Sequence, residues 1–518
     1  MQRTTSLIAL VAAGFMLHAA PGLAAGTIHY GVAAPDLSTM DPYRATATPD
    51  KPLTGWLYNG LVRFPPGSDD ISKLEPDLAE SWENSEDGLV WTFHLRKGVK
   101  FHKGYGELTA DDVVFSLQRA GNADTSAFSS DYAAIEKVEA VDPLTVKITL
   151  KNPVPSLLGL VANYHGGNIL SRKAVEELGE GFKSNPVGTG PFMFDSYTAQ
   201  DNVTFVANPD YFRGAPKVDK VVVRYIPSDS ARDLAFQSGE LEIMYGRQDE
   251  EWIKSTRGVE HAVVDVMRPA ELQQLHLNES SPPLDNLAVR QAVAMAVNRD
   301  EYPLLVGETL ARPATSVIPE GNLGWDGSHI LYGTGDVEGA KAKLAEAGFP
   351  DGVTLKMVQT SLPSMLSVAQ LLQSQLAKAN IKVELDVVDH QTFHANIRKD
   401  LSQLVYYSAA RFPIADVFLT QFFYSPSTVT TPKAVVNFSH CRVADADIEA
   451  ARAERDPQKQ LQLWSDAQKK IIDEVCAVPL FQQLITYAHR DTVNYGYTLE
   501  AAMHLGPIIT EQTTVTGN

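Results

Sequence analysis

Apolar and polar side chains alternate with period two in several short segments, which is the pattern of half-buried β-strands. The clearest examples in the first third of the chain are WTFHL at 91–95 and LTVKITL at 144–150. Between them, TADDVVFSLQRA places Thr109 three residues before Asp112. This spacing predicts a helix that opens with a capping box in which Asp replaces the usual Glu or Gln.

A second group of elements follows in the C-terminal half. A helix is predicted from Asp336, its N-cap, to Gly348, just past its end. A strand over 353–358, a helix over 367–380 and a strand over 381–388 come next. Strand, helix and strand in this order form a βαβ unit, whose strands are parallel and joined by a right-handed crossover. The predicted fold class is therefore α/β.

The length of 518 residues exceeds what one hydrophobic core usually holds, so we expect two or more lobes. A hydrophobic fraction of 44% and a charged fraction of 21% are typical of a folded globular protein. The formal net charge is −19, whereas phosphate binding needs concentrated Lys and Arg. We therefore expect no nucleic-acid partner, and we attribute the acidity to solubility.

The N-terminus has the three parts of a secretory signal peptide over residues 1–25. Arg3 forms a minimal basic region, residues 7–17 form an apolar core, and a stretch of small residues predicts cleavage after Ala24 or Ala25. No cysteine lies near this point, so we expect no lipid anchor. The prediction is export of a soluble mature protein, and an uncleaved N-terminal anchor is the alternative.

The chain has two cysteines, Cys441 and Cys476. The segment between them reads as two helices broken at Asp456 and Pro457, and an antiparallel helical hairpin would bring both cysteines to the same end. In an oxidising compartment we predict a disulfide, worth about 3–4 kcal/mol if it acts by restricting the unfolded chain. Two free buried thiols are the alternative. The spacing fits no zinc or redox motif.

Motifs of catalysis are missing from the sequence. The chain contains no G-x-S-x-G, no H-E-x-x-H and no phosphate-binding loop, so we expect no enzyme activity and no cofactor. A secreted hydrolase without a known motif is a remote alternative. His390 and His394, in HQTFH, are four residues apart and can share a helical face, but two imidazoles alone make a weak metal site.

Five stretches carry a resemblance to a known family. They are LEPDLAESWENSEDGLVWTFHLRKGVKFHKGYGELTADDVVFSLQRA at 74–120, NPVGTGPFMF at 185–194, NPDYFRGAPKVDKVVVRYIPSDSARDLAFQSGELEI at 208–243, LHLNESSPPLDNLAVRQAVAMAVNRDEY at 275–302 and DVEGAKAKLAEAGFPDGV at 336–353. In this order and spacing they resemble the peptide/opine/nickel class, or family 5, of periplasmic solute-binding proteins, which feed ABC importers. The likeness covers essentially the whole mature chain.

The resemblance implies a two-lobed periplasmic-binding-protein fold of type II, with an extra inserted domain and a hinged cleft between the lobes. The implied division is 26–48, 183–270 and 486–518 for lobe I, 49–182 for the inserted domain, and 271–485 for lobe II. Two backbone crossovers, near Pro269–Leu275 and Pro479–Tyr487, would form the hinge. The resemblance also implies a small-molecule ligand, an inner-membrane ABC permease as partner, a periplasmic location and a monomer.

One positive charge, Arg411, stands in the aromatic and apolar stretch YYSAARFPIADVFLTQFF at 406–423. A buried guanidinium needs an anion or several acceptors to offset its lost hydration. By the resemblance, Arg411 takes the place of an aspartate that receives the peptide α-ammonium in peptide-binding relatives, and Ser408 the place of a frequent tryptophan. Gln359 takes the place of an arginine that clamps a carboxylate in dipeptide-binding relatives.

Arg411 in the place of an aspartate reverses the sign of the charge that meets the ligand. We therefore predict that Arg411 binds a ligand anion, most simply a carboxylate, with a contribution of about 1.5–3 kcal/mol. The alternative is that Arg411 pairs with a protein carboxylate or a ring of carbonyls. Altered peptides, opine-like conjugates and other organic acids fit the reversed charge, while ordinary di- or oligopeptides and a chelated metal are the alternative ligands.

Other candidates for the cleft carry weaker signals. Tyr164 and His165 stand beside two glycines, which let a ligand approach the backbone closely. Thr46 and Thr48, in an early loop, offer hydroxyl groups. Two aromatic residues near Arg411 complete the set, Phe412 and Tyr407, which are predicted to stack on a ligand or, equally, to pack in the core.

Overall fold

The structure, a computed structural model, describes residues 26–154, 156–431 and 436–516. The predicted signal peptide lies outside the described residues. The strands, β1 to β19 in chain order, are Thr27–Val32, Val62–Arg63, Glu75–Pro76, Ala79–Asn84, Val90–Leu95, Ile135–Asp142, Thr145–Leu150, Phe192–Thr198, Asn202–Ala207, Lys220–Tyr225, Ile243–Tyr245, Ala262–Leu277, Ala311–Pro313, Val353–Thr360, Ile381–Val388, Leu404–Ala409, Ala477–Arg490, Val493–Asn494 and Thr514–Val515.

The α-helices alternate with these strands along the chain. In order, α1 to α14 are Lys51–Leu57, Ala110–Ala120, Leu157–Leu160, Arg172–Leu178, Asp229–Gln237, Glu250–Arg257, Leu287–Ala296, Glu301–Val306, Val337–Glu346, Pro363–Lys378, His390–Arg398, Ala415–Phe423, Asp445–Ala453 and Pro457–Asp473. Across the described ranges, no helix combines the length and the apolar character that a membrane crossing requires.

The elements predicted from the pattern in the first third of the chain are present. The two predicted strands are β5 and β7, which pair antiparallel. Thr109 caps α2, and the Asp112 carboxylate accepts from the Thr109 backbone N–H at 3.0 Å, which completes the predicted capping box. Local side-chain chemistry thus sets where this helix begins.

The predicted βαβ unit consists of β14, α10 and β15. The two strands are parallel along their length, with Val353 opposite Ile381. The helix begins at Pro363, four positions earlier than predicted. Proline is tolerated in the first helical turn because its missing N–H would have no partner there. The preceding predicted helix is α9, capped by the Asp336 carboxylate.

One eleven-stranded sheet joins the two halves of the molecule. Its strand order is β15-β14-β16-β12-β17-β11-β1-β10-β9-β8, with β13 paired to β17. The long antiparallel strands β12 and β17 run through the middle and belong to both halves. Their register shifts between Met267 and Glu271, within the region where the hinge is predicted. The domain boundaries and the hinge stay predictions.

A smaller antiparallel sheet, ordered β4-β5-β7-β6, stands apart from the large one. The helix α1 lies between these regions in the sequence. Its Trp56 packs edge-on against Tyr30 at 5.2 Å and Phe205 at 5.8 Å, measured between ring centroids. Because Tyr30 and Phe205 belong to β1 and β9, this packing fixes α1 against the large sheet.

The two cysteines are joined in a disulfide, as predicted. Cys441 and Cys476 have Cα atoms 5.7 Å apart and both are fully buried. Between them, α13 and α14 form the predicted helical hairpin, in which Asp456 caps α14 and Pro457 is its first residue. The bond ties the start of this hairpin to the residue just before β17.

Candidate ligand-binding cleft

Several candidate residues lie near the places where parallel strands of the large sheet end. In one half, β1 and β11 are parallel and end at Val32 and Tyr245. In the other half, β14 and β16 are parallel and end at Thr360 and Ala409. The carboxyl ends of parallel strands are the usual location of ligand sites in open α/β sheets. The strands β12 and β17 connect the two edges.

A cavity of about 140 Å³ opens at the end of β1. Its lining consists of apolar and hydroxyl-bearing groups, namely Val32, Ala33, Thr48, Pro49, Tyr245 and Tyr487. The rings of Tyr245 and Tyr487 meet edge-on, with centroids 5.3 Å apart. The structure thus places Thr48 at a cavity, whereas Thr46 is exposed to solvent.

Arg411 lies just beyond the end of β16 and is half-buried. Its Nε donates to the side-chain oxygen of Gln421 at 2.6 Å, and its Nη1 donates to the Ala410 carbonyl at 3.0 Å. The guanidinium stands over the ring of Phe422, 5.3 Å from its centroid. A guanidinium has five N–H donors, and the described residues accept two of them and supply no carboxylate. Arg411 is therefore positioned to accept an anion.

Lys51, which the sequence analysis missed, lies near Arg411. It is the first residue of α1 and is half-buried, and its ammonium has no hydrogen-bond or ion-pair partner among the described residues. Burial, together with the charge of Arg411, lowers the pKa of Lys51 to about 8, and Glu271 partly opposes this shift. A positive charge at the first residue of a helix opposes the helix dipole. That unfavourable position was the signal in the sequence.

Glu271 adds a negative charge to the same place. It lies on β12, immediately after the change in register, and its carboxylate accepts from the Ser408 hydroxyl at 2.8 Å. The Gln273 side chain donates to the same hydroxyl at 2.6 Å. Burial and then Glu271 raise the pKa of Tyr245 to about 12. Ser408 is thus bonded to Glu271, a residue that sequence reasoning also missed.

An aromatic group stands beside the two cations. Tyr164 stacks on His165 with centroids 3.6 Å apart, and Phe412 lies 6.3 Å from Tyr164. Burial lowers the pKa of His165, and the charges of Lys51 and Arg411 lower it further. Phe412 is 9% exposed. These contacts bring Tyr164, His165 and Phe412 together, and ligand contact by the three residues stays a prediction.

Two further predicted residues, Gln359 and Tyr407, have other neighbours. Gln359 is fully buried, and neither its amide oxygen nor its nitrogen has a partner within the described ranges. Tyr407 packs against Phe438, Phe422 and His394, with centroid distances of 5.1, 6.1 and 6.1 Å. Tyr407 thus has aromatic neighbours, and ligand contact by Tyr407 and Gln359 stays a prediction.

The histidine pair on α11 has the predicted shared face. The Nε2 atoms of His390 and His394 are 3.2 Å apart, and His390 Nδ1 lies 3.2 Å from the Thr360 hydroxyl. In the part of the chain that the structure describes, no group of three or more His, Cys, Asp or Glu residues is arranged to hold a metal ion.

Comparison with known proteins gives consistent matches over most of the chain. The family of bacterial extracellular solute-binding proteins, family 5 middle, matches residues 73–429. Glutathione-binding protein GsiB of Salmonella choleraesuis is 30% identical over 479 residues, which are 90% of this chain and 91% of that protein. Di/tripeptide-binding protein 2 of Pseudomonas aeruginosa is 32% identical over 474 residues, or 86% and 87% of the two chains.

A solved structure gives a stronger match. It is that of the solute-binding protein MoaA from A. tumefaciens R10 in complex with mannopinic acid, at 50% sequence identity and a TM-score of 0.85. The match covers 95% of this chain and 100% of that one. The two-lobed α/β fold predicted from the sequence is thereby confirmed.

Proposed function

Since this chain belongs to the family 5 bacterial extracellular solute-binding proteins, the receptors of ABC importers, we propose that it captures an opine-type solute in the cleft between its lobes. By opine-type we mean an amino acid whose nitrogen carries a second polar group and whose carboxylate is free. The receptor then delivers this solute to an inner-membrane permease. In this proposal it acts in the periplasm, as a monomer, after removal of its signal peptide, and it catalyses no reaction.

The observation that carries the proposal is the unmet charge of Arg411. A half-buried guanidinium without a counter-ion is costly, because it has lost part of its hydration. The fork of N–H donors matches the two oxygens of a carboxylate. The complex of MoaA with mannopinic acid, at 50% identity, supports an opine-type ligand.

An ordinary small peptide is the second candidate. It is supported by the names of the relatives that bind glutathione or di/tripeptides, and by Glu271, whose carboxylate is suited to a peptide α-ammonium. The cations weigh against it. A zwitterionic peptide with one carboxylate would meet both Lys51 and Arg411, and one of the two would stay without a counter-ion.

Native mass spectrometry of gently purified protein tests this proposal. We expect a co-purified solute that carries at least one free carboxylate and an N-substituted amino acid. Arg411→Met should lose it, whereas Arg452→Met should retain it, because the Arg452 guanidinium is already paired with Asp416. Recovery of unmodified di- or tripeptides, or equal retention by the two variants, would contradict the proposal.

A further inference from the structure

Three charged residues in the cleft come from three separate elements. Lys51 begins α1, Glu271 lies on β12, and Arg411 follows β16. Each is half-buried, and none of them makes an ion pair with another described side chain. Glu271 is bonded to Ser408, three residues before Arg411. The helix α1, which Lys51 begins, packs through Gly55 against His504, whose ring centroid lies 6.3 Å from that of Tyr164. Tyr164 in turn lies 6.3 Å from Phe412, the residue after Arg411, so the three charges border one region. Together they carry one net positive charge.

Several other half-buried arginines of the chain pair with carboxylates, whereas Arg96 and Arg299 donate to backbone carbonyl oxygens. The pairs include Arg119 with Asp41 at 2.6 Å, Arg213 with Asp77 at 3.0 Å and Arg452 with Asp416 at 3.1 Å. Lys51 and Arg411 lack such a partner, although an acid, Glu271, lies nearby. Two unpaired cations close together repel each other and destabilise the empty protein. A ligand with more than one negative charge removes this cost.

We propose that Lys51 and Arg411 each bind one carboxylate of the same solute and that Glu271 binds its protonated nitrogen. The site would then select a dicarboxylate with one amine, such as mannopinic acid, in which two carboxylates accompany one secondary amine. The two cations and one anion of the protein match the two anions and one cation of such a solute. This inference rests on the proposed function and specifies the solute class.

The arrangement of the elements suits a solute that bridges the cleft. Lys51 follows the loop of Thr48 and Pro49, which line the cavity at the end of β1. Arg411 belongs to the opposite half. Simultaneous contacts to both halves favour the closed form, because only that form makes all of them. The cavity beside Tyr245 and Tyr487 accommodates the uncharged part of the solute.

Isothermal titration calorimetry with three probes tests the assignment. The probes are mannopinic acid and its two monoamides, each lacking one of the two carboxylate charges. We expect the wild-type protein to prefer the diacid over each monoamide by about tenfold or more. In Lys51→Gln, the diacid should bind within about twofold of one monoamide and keep its preference over the other. In Arg411→Gln, the two monoamides should exchange these roles. Lys51→Arg should behave as the wild type.

Each other outcome overturns the assignment. If Lys51→Gln keeps both preferences, Lys51 binds no carboxylate. The same follows if Lys51→Gln weakens binding of all three probes equally while its circular dichroism spectrum and unfolding midpoint match those of the wild type. If the wild-type protein binds mannopinic acid but does not discriminate against the monoamides, this inference fails and the proposed function stands. If the wild-type protein binds none of the probes, this inference fails, and the solute that native mass spectrometry recovers decides the proposed function.

Discussion

Arg411 and Arg452 form a matched pair that separates ligand binding from stability. Both guanidiniums lie over an aromatic ring in the same half of the molecule, Arg411 over Phe422 at 5.3 Å and Arg452 over Tyr424 at 4.9 Å. Arg452 has a protein counter-ion, Asp416, whereas the described residues offer Arg411 none. Replacing each arginine by methionine removes the charge and keeps an unbranched apolar side chain.

The structure sets different magnitudes for the two substitutions. Arg411→Met removes a charge-assisted interaction with the ligand carboxylate, worth about 1.5–3 kcal/mol, or roughly 10- to 150-fold in Kd. Within the protein it removes only hydrogen bonds to two neutral oxygens, at a net cost of about 1–2 kcal/mol. Arg452→Met leaves Asp416 without its counter-ion, at a cost of about 2–3 kcal/mol in the free energy of unfolding.

Calorimetric titration with mannopinic acid measures Kd, and urea unfolding monitored by circular dichroism measures stability. We expect Arg411→Met to lose affinity and to lower the unfolding midpoint less than Arg452→Met does, and we expect Arg452→Met to keep its affinity. The reasoning is refuted if Arg411→Met binds within about twofold of the wild-type protein.

Three further results are expected. Because the pKa of Lys51 is about 8, raising the pH above 8 should weaken binding of mannopinic acid as the ammonium loses its proton. Lys51→Arg should abolish this loss of affinity, and a wild-type Kd that is unchanged between pH 7 and pH 9 would contradict the prediction. Replacing Cys441 and Cys476 by serine opens a loop with a sequence separation of 35 residues, so urea unfolding should show a loss of about 4 kcal/mol on the chain-entropy account; an unchanged midpoint would argue against that account. Burial lowers the pKa of His276 to about 3, so below pH 6.5 the unfolded state binds more protons, and the free energy of unfolding should fall as the pH drops from 6.5 towards 3. His276→Phe should reduce this loss at pH 4 by about 3 kcal/mol, and identical acid unfolding profiles of the two proteins would contradict the prediction.

Local patterns were sufficient to predict many elements of the fold. The βαβ unit of β14, α10 and β15 has a strong period of two, then a long amphipathic helix, then period two again, and such signals depend only on neighbours in sequence. The start of α10 was misplaced because Pro363 can open a helix as well as interrupt one. The helical hairpin before β17 was predicted because Asp456 and Pro457 together mark a helix start.

The cleft was predictable only in part, because its residues meet through the fold. Arg411 was identified as a single positive charge in an apolar stretch, which is a local signal. Lys51 lies 360 residues before Arg411 in the sequence, and Glu271 lies 140 residues before it. No pattern along the chain links the three. Glu271 also reads as an ordinary surface residue in its own segment. Their relation follows from β12 and β17 bringing both halves of the sheet together.

The most direct test of the central claim is a crystal structure of the protein with its solute bound. The account predicts a solute carboxylate with oxygens at about 2.7–2.9 Å from the Arg411 guanidinium nitrogens, the distance of a charge-assisted hydrogen bond. A bound solute whose carboxylates lie away from Arg411, with the guanidinium held only by Gln421 and Ala410, would contradict it.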